Sequence, residues 1–239
     1  MLYCDLTIME ELLKDLHRLH LVTKDFEHII EYEPGSWKMF EPSKFVYSYF
    51  AFNTFYNFDW QTTIATKTLS YYTKTEKDGK EQEPSERVKF KFLIDFIFEH
   101  LNEDDKEIFF SIIKGRNRQD KPSSNNRLIE CINGITPDRI ISESDIKSFK
   151  KEFQKLIETE TLQKGKLKNE IIGFIYQVRN NIFHGTKTTI EMTDRYQRER
   201  LEIYSKILIA TNELLFRVLS RQLEFSFDNR YRINFDGRS

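Results

Sequence analysis

The sequence predicts an all-α protein built as a multi-helix bundle. Only eight glycines and five prolines occur among 239 residues, too few for the many tight turns of an all-β protein. Apolar residues recur at steps of three and four along several long segments, which is the helical period. The apolar content depends heavily on 21 phenylalanines and 11 tyrosines, which predicts an aromatic core.

Charge and cysteine usage limit the possible functions. Lysine and arginine total 37 against 38 acidic residues, which argues against a strongly basic duplex-binding protein but leaves room for a local basic cleft. Cys4 and Cys131 have neither metal-ligand nor disulfide spacing, as expected in a reducing cytoplasm. The first residues lack the pattern of a signal peptide, and no run of about 18 apolar residues predicts a membrane span.

The first half of the chain predicts four helices. Residues 5–31 have helical spacing, and "EPGSW" at 33–37 interrupts it. The aromatic segment 43–60 is predicted to be a helix capped by Ser43 and buried on most sides. Residues 73–87 are polar, charged and aperiodic, which indicates an insertion loop. Two short helices at 87–101 and 103–115 follow, and then a basic polar loop at 115–127.

Three longer helices are predicted in the second half. The helix at 142–159 opens with Ser-x-x-Asp, the signature of a capping box. Helices at roughly 166–184 and 194–223 follow, and the tail 224–235 alternates around Asp228-Asn229 as a small C-terminal β-hairpin would. We divide the chain into an N-terminal helical extension, 1–40, and a helical domain, 41–239. The pattern does not decide whether the extension forms a separate lobe.

The stretch "FIYQVRNNIFHGTK", residues 174–187, differs from the rest of the chain. At about 100° per residue, Ile171, Ile175, Val178 and Ile182 form one apolar seam. A second face carries Tyr176, Arg179, Asn180, Phe183 and His184, and Gly185 suits a helix C-cap.

Two interpretations of this second face are open. A histidine near a helix C-terminus often complements the helix dipole, and an asparagine pair often caps or turns the chain. Alternatively, Arg179 and His184 combine a permanent cation with a group that exchanges protons near pH 7, a pair suited to phosphate chemistry. An arginine beside the apolar seam is costly to bury without a partner, which favours the functional interpretation.

The string "RNNIFHG", Arg179 to Gly185, resembles the signature of HEPN-domain proteins: an arginine, usually a polar residue next, and a histidine four to six residues on. The upstream aromatic helix with "FAFNTFYN", Phe50 to Asn57, is similar to many bacterial members. The resemblance covers about 43–225 and implies a helical bundle of HEPN type.

Catalytic members of that family are metal-independent endoribonucleases whose two protomers build one composite site. The resemblance therefore implies an RNA substrate, a homodimer and no metal or cofactor. It assigns acid–base transfer to His184, phosphate binding to Arg179 and positioning to Asn180, with Asn181 and Tyr176 as supporting residues. The implied products carry a 2′,3′-cyclic phosphate and a 5′-hydroxyl, and the implied role is bacterial defence or toxin activity.

Cations near the motif in sequence form a candidate RNA-backbone track: Lys164, Lys166, Lys168, Arg116 and Arg118. Solvated helix faces and loops are the alternative for these residues. An antitoxin or defence-system partner is a further expectation, although some antitoxins modify a tyrosine where this chain has Thr186. The second hypothesis for function is a noncatalytic HEPN-like dimeric module that scaffolds or binds a partner protein or nucleotide. A helical nucleic-acid-binding regulator is a third, disfavoured by the neutral net charge.

Overall fold

The computed structural model describes residues 40–57, 74–75, 81–82, 84–115, 125–137, 141–183 and 188–222, together with residues 11, 14, 15, 17 and 18. The described part is 87% helical, and its other regular structure is one two-residue strand pair, so the prediction of an all-α bundle is confirmed. The five described positions among residues 11–18 are helical, and the ring of His17 lies 4.7 Å from that of Phe216. The predicted C-terminal hairpin lies outside the described residues.

The elements follow one another in this order: α1 Phe40–Asn57, β1 Lys74–Thr75, β2 Glu81–Gln82, α2 Glu86–His100, α3 Glu103–Lys114, α4 Asn125–Asn133, α5 Glu143–Thr159, α6 Lys164–Lys166, a π-helical segment Leu167–Ile172, α7 Gly173–Phe183, α8 Thr189–Met192 and α9 Arg195–Gln222. Four predicted helices, 87–101, 103–115, 142–159 and 194–223, are confirmed to within a residue. The helix predicted at 166–184 begins two residues earlier and contains the π-helical segment, which the sequence pattern did not indicate.

Helix α9 is the centre of the bundle and packs most extensively against α1 and α3. Its side chains are buried along most of its length, because neighbouring helices cover it on several sides. The amide of Asn212 donates to the carbonyl of Ser48 at 3.1 Å, which ties α9 to α1 inside the core. Neither α9 nor any other helix in the described part of the chain combines the length and apolar character that a bilayer crossing requires.

Helix α1 is buried on most sides, as predicted, but it does not begin where the sequence indicated. Its buried rings are Phe45, Tyr49, Phe52, Phe55 and Tyr56. The helix starts at Phe40, so Ser43 lies inside the first turn and the prediction that it caps the helix is wrong. Pro42 is tolerated there because a first-turn residue needs no backbone N–H partner within the helix.

Two predicted loops contain regular structure. In the segment 73–87, Lys74 pairs with Gln82 and Thr75 with Glu81 as a short antiparallel ladder. In the segment 115–127, the last three residues already belong to α4, which the sequence analysis missed. Helix α4 is short, and it is anchored by Leu128 and Ile132, one turn apart and both buried.

Helix termini are held by capping boxes at two places. Ser142 and Asp145 form the capping box that the sequence predicted at the start of α5. Asn102 and Asp105 form a second one at the start of α3. The buried Asp105 carboxylate also accepts hydrogen bonds from Arg221 of α9, at 2.9 and 2.5 Å. The N-terminus of α3 is therefore fixed to the C-terminal end of α9.

Candidate functional site

The candidate site is centred on Arg179, whose guanidinium lies against two aromatic rings that also contact each other. Its Cζ atom is 5.2 Å from the centroid of Tyr49 and 5.0 Å from that of Phe183. Tyr49 belongs to α1, whereas Phe183 follows Arg179 by one turn on α7. Both separations are within the range of cation–π attraction, so the rings stabilise the charge and restrict its movement. Only 20% of the Arg179 side chain is exposed.

Polar partners fix one edge of this guanidinium. Its Nη1 donates to Oδ1 of Asn180 at 2.9 Å and lies 3.8 Å from Oε2 of Glu86. The hydroxyl of Tyr176 donates to the same Glu86 oxygen at 3.1 Å. The Nε atom of Arg179 is buried, and no described residue accepts a hydrogen bond from it. The arginine therefore retains donor capacity that its described neighbours do not use.

A chain of hydrogen-bonded neutral hydroxyl and amide groups on α1 begins at Tyr49, whose ring contacts Arg179. Tyr56 donates its hydroxyl hydrogen to Oδ1 of Asn53, so Tyr49, 3.2 Å away, donates to Tyr56. Asn57 donates to the same Asn53 oxygen at 3.1 Å. Burial raises the pKa of Tyr49 well above its usual range and raises that of Tyr56 to about 12. Both phenols are therefore uncharged near neutral pH. The acidic side chain next to Arg179 is Glu86, whose Oε2 lies 3.8 Å from the guanidinium.

Burial also raises the pKa of Tyr176, and the neighbouring Glu86 carboxylate raises it further. Tyr176 consequently keeps its proton and donates a hydrogen bond to Glu86. The ring of Tyr176 lies 5.5 Å from that of Phe90, which connects this corner of the site to the core.

The structure brings together the two sequence features that carry the HEPN resemblance. The aromatic segment Phe50–Asn57 and the motif beginning at Arg179 meet where the rings of Phe50 and Phe183 approach to 5.7 Å, edge to face.

Sequence reasoning missed Tyr49 and Glu86 as neighbours of Arg179. Glu86 is the first residue of α2, and an acid in a first helical turn is ordinarily explained by the helix dipole, so the sequence carried no signal for this role.

Apart from the three lysines, the predicted site residues divide into three groups. Tyr176, Arg179 and Asn180 lie together around Glu86. Asn181 is buried, 3% exposed, on another side of α7, where it lines a separate pocket with Val178 and Arg200. His184, Arg116 and Arg118 lie outside the described residues.

The three predicted RNA-binding lysines are paired with acids at the opposite end of the long helix. Lys164 and Lys168 lie 3.2 and 2.7 Å from Asp95, and Lys166 lies 3.3 Å from Glu152. At about 1.5 Å per residue, Lys168 is roughly 16 Å along the helix from Arg179. The structure therefore places these lysines beside carboxylates rather than next to the candidate site.

In chemical terms, the site offers a permanently charged guanidinium held beside one carboxylate, neutral hydrogen-bonding groups and aromatic faces. Such an arrangement suits an anion with planar groups attached, as in a nucleotide. Among the described residues, no group of three or more histidine, cysteine or acidic side chains has the geometry to hold a metal ion. Comparisons with protein-family models, with curated proteins and with solved structures find no match to this chain.

Proposed function

We propose that this chain is a metal-independent endoribonuclease of HEPN type that acts as a homodimer in bacterial defence or as a toxin. The observation that supports the proposal best is the position of Arg179 against the rings of Tyr49 and Phe183, with Asn180 as its hydrogen-bond partner. An arginine held in this way binds a phosphate with little loss of conformational freedom, which favours transition-state stabilisation.

The proposed reaction needs no external reactant. The ribose 2′-oxygen attacks the adjacent phosphorus while the bond from phosphorus to the 5′-oxygen breaks. One proton leaves the 2′-hydroxyl and one is delivered to the 5′-oxygen, which yields a 2′,3′-cyclic phosphate and a 5′-hydroxyl. His184 would take part in these proton transfers, and Arg179 would stabilise the charge that develops on the phosphate oxygens.

The test is a nuclease assay on total RNA with EDTA present throughout, followed by analysis of the new ends. Wild type should cleave RNA, and His184→Ala and Arg179→Lys should each lose at least about 100-fold in rate, as expected for acid–base and charge-stabilising groups. His100→Ala is the matched control, because it removes a histidine at the far end of α2. Cleavage that requires a metal ion, or that persists in His184→Ala, contradicts the proposal.

One contact favours a second candidate function. Glu86 lies 3.8 Å from the group that would bind phosphate, and its negative charge opposes the approach of an anion. In a noncatalytic dimeric module, the same pair would simply neutralise a half-buried arginine. This candidate predicts a stable dimer without RNA turnover in wild type as well as in His184→Ala.

A further inference from the structure

We propose that Phe50 and Phe183 form a platform on which a nucleobase stacks, next to a phosphate held by Arg179. We call this pair of rings the aromatic platform. The inference rests on the proposed function, because it concerns the RNA strand that would enter the same site. It adds a binding contact from α1 that the Arg-to-His motif does not contain.

The first observation is the exposure of the two rings. Most aromatic side chains in the described residues belong to the core, yet Phe50 is 43% exposed and Phe183 is 39% exposed. Their centroids are 5.7 Å apart at an interplanar angle of 66°. Each ring is therefore anchored by the other while it presents part of its surface to solvent.

The second observation is the position of the platform relative to the cation. Arg179 lies 5.0 Å from the Phe183 centroid, so a phosphate at the guanidinium and a base on the rings can belong to the same or to adjoining nucleotides. Tyr49, which also contacts the guanidinium of Arg179, lies 6.4 Å from Phe183. One connected set of side chains thus offers a charge for the backbone and rings for a base, the combination used by proteins that bind single strands.

The size of the platform favours a nucleobase over a protein surface. A phenylalanine or tyrosine side chain presents about 150–250 Å² in total, so the exposed parts of two rings amount to roughly 150 Å². A stable protein interface needs about 800 Å² on each partner. The platform alone is several times smaller than that, and it is comparable to one planar base.

Phenylalanine rings have no hydrogen-bonding groups with which to distinguish bases. Stacking on them depends on the area of the π surface, so we expect purines to bind more tightly than pyrimidines at this position. We expect no preference between adenine and guanine.

The experiment measures equilibrium binding by fluorescence anisotropy in a His184→Ala background, where turnover does not interfere. The probe is a single-stranded RNA of roughly ten nucleotides, used intact and with one abasic nucleotide moved along it. Phe50→Leu keeps an apolar side chain but removes the π face, and it should weaken binding of intact RNA about tenfold. One abasic position should weaken binding to the Phe50-containing protein by a similar factor and have no further effect on Phe50→Leu.

The matched control is Tyr196→Leu, which removes a 65% exposed ring from the start of α9 and should leave RNA affinity unchanged. If Phe50→Leu binds intact and abasic RNA as tightly as the Phe50-containing protein does, the platform is overturned while RNA binding stays in place. A Phe50→Leu protein that changes from dimer to monomer at unchanged RNA affinity also overturns it, because the rings then serve an interface between two copies. If wild type binds RNA in a base-dependent way but does not cleave it, the result supports the platform and contradicts only the nuclease proposal.

Discussion

The guanidinium of Arg179 rests on the ring of Tyr49, with 5.2 Å between Cζ and the ring centroid. This contact joins α1 to α7 and orients the guanidinium that would bind the phosphate in the proposed reaction. Replacing Tyr49 by leucine removes the π face, and a cation–π contact of about 1–2 kcal/mol corresponds to roughly a tenfold loss. We expect Tyr49→Leu to lower kcat/KM for RNA by that factor.

Tyr49→Phe is the informative comparison, because it keeps the ring and removes only the hydroxyl that donates to Tyr56. We expect its kcat/KM to stay within about threefold of wild type. An equal loss in Tyr49→Phe and Tyr49→Leu would mean that the hydroxyl chain, and not the ring, positions Arg179.

Glu86→Gln tests the acid beside the arginine. The amide oxygen can still accept from Tyr176, but the negative charge near Arg179 disappears. Because a partly exposed ion pair at this distance contributes modestly, RNA affinity in the His184→Ala background should rise about two- to fivefold. Binding isotherms at two salt concentrations check the result, and weaker binding by Glu86→Gln would show that the carboxylate orients Arg179 instead.

Asp105→Ala should be among the most destabilising single changes in the bundle. The Asp105 side chain is fully buried, completes a capping box and accepts two hydrogen bonds from Arg221. Removing one partner of such a buried pair costs about 3–5 kcal/mol in the free energy of unfolding. Urea denaturation measures it, and Asp104→Ala, at the exposed neighbouring position, should change stability by less than about 0.5 kcal/mol.

Lys44 predicts a dependence of stability on alkaline pH. It is almost fully buried on α1, and burial, with the nearby Lys206, lowers its pKa to about 8 despite the neighbouring Glu202 and Glu41. Below pH 8 the lysine is charged in both the folded and unfolded states, so the fold carries the full cost of burying the charge. Between pH 8 and about 10.5 the folded state has released the proton while the unfolded state still holds it, so stability rises with pH.

The gain over the whole window is at most about 3 kcal/mol, and Lys44→Met should remove it. Urea denaturation between about pH 7 and 9.5 checks this, below the range in which the buried tyrosines begin to oppose the trend. Lys151→Met, at an exposed position on α5, should keep the wild-type rise. An unchanged slope in Lys44→Met would mean that the lysine keeps its proton inside the fold.

The local features of the fold were readable from the sequence because the residues that determine them are close together. The Ser142–Asp145 capping box spans four residues, and the seam repeats every three or four residues along one helix. Of its four predicted members, Ile171, Ile175 and Val178 are buried and Ile182 is partly buried. The prediction that Ser43 caps α1 was wrong although it also rested on a local signal, a serine before an apolar run. The helix begins three residues earlier, at Phe40, and Pro42 in its first turn is compatible with that start.

The candidate site was readable only in part, because its composition depends on contacts between distant segments. Arg179 and Asn180 could be proposed from a motif within one helix, whereas Tyr49 and Glu86 reach Arg179 through the packing of α1 and α2 against α7. The pairing of Lys164 and Lys168 with Asp95 was hidden for the same reason. A charge pattern along one helix does not reveal which carboxylates a neighbouring helix supplies.

The helix that carries the Arg179 motif runs from α6 through the π-helical segment Leu167–Ile172 into α7. The π-helical segment changes how many residues correspond to one turn about the helix axis. A π turn accommodates one more residue than an α turn, and each residue of a helix corresponds to about 100° of rotation. Lys164 faces Asp95 before the segment, and Arg179 faces Tyr49 after it. Deleting one residue inside the segment would convert its π turn into an ordinary α turn and leave both orientations in place, whereas one further inserted residue would rotate Arg179 by about 100° relative to Lys164.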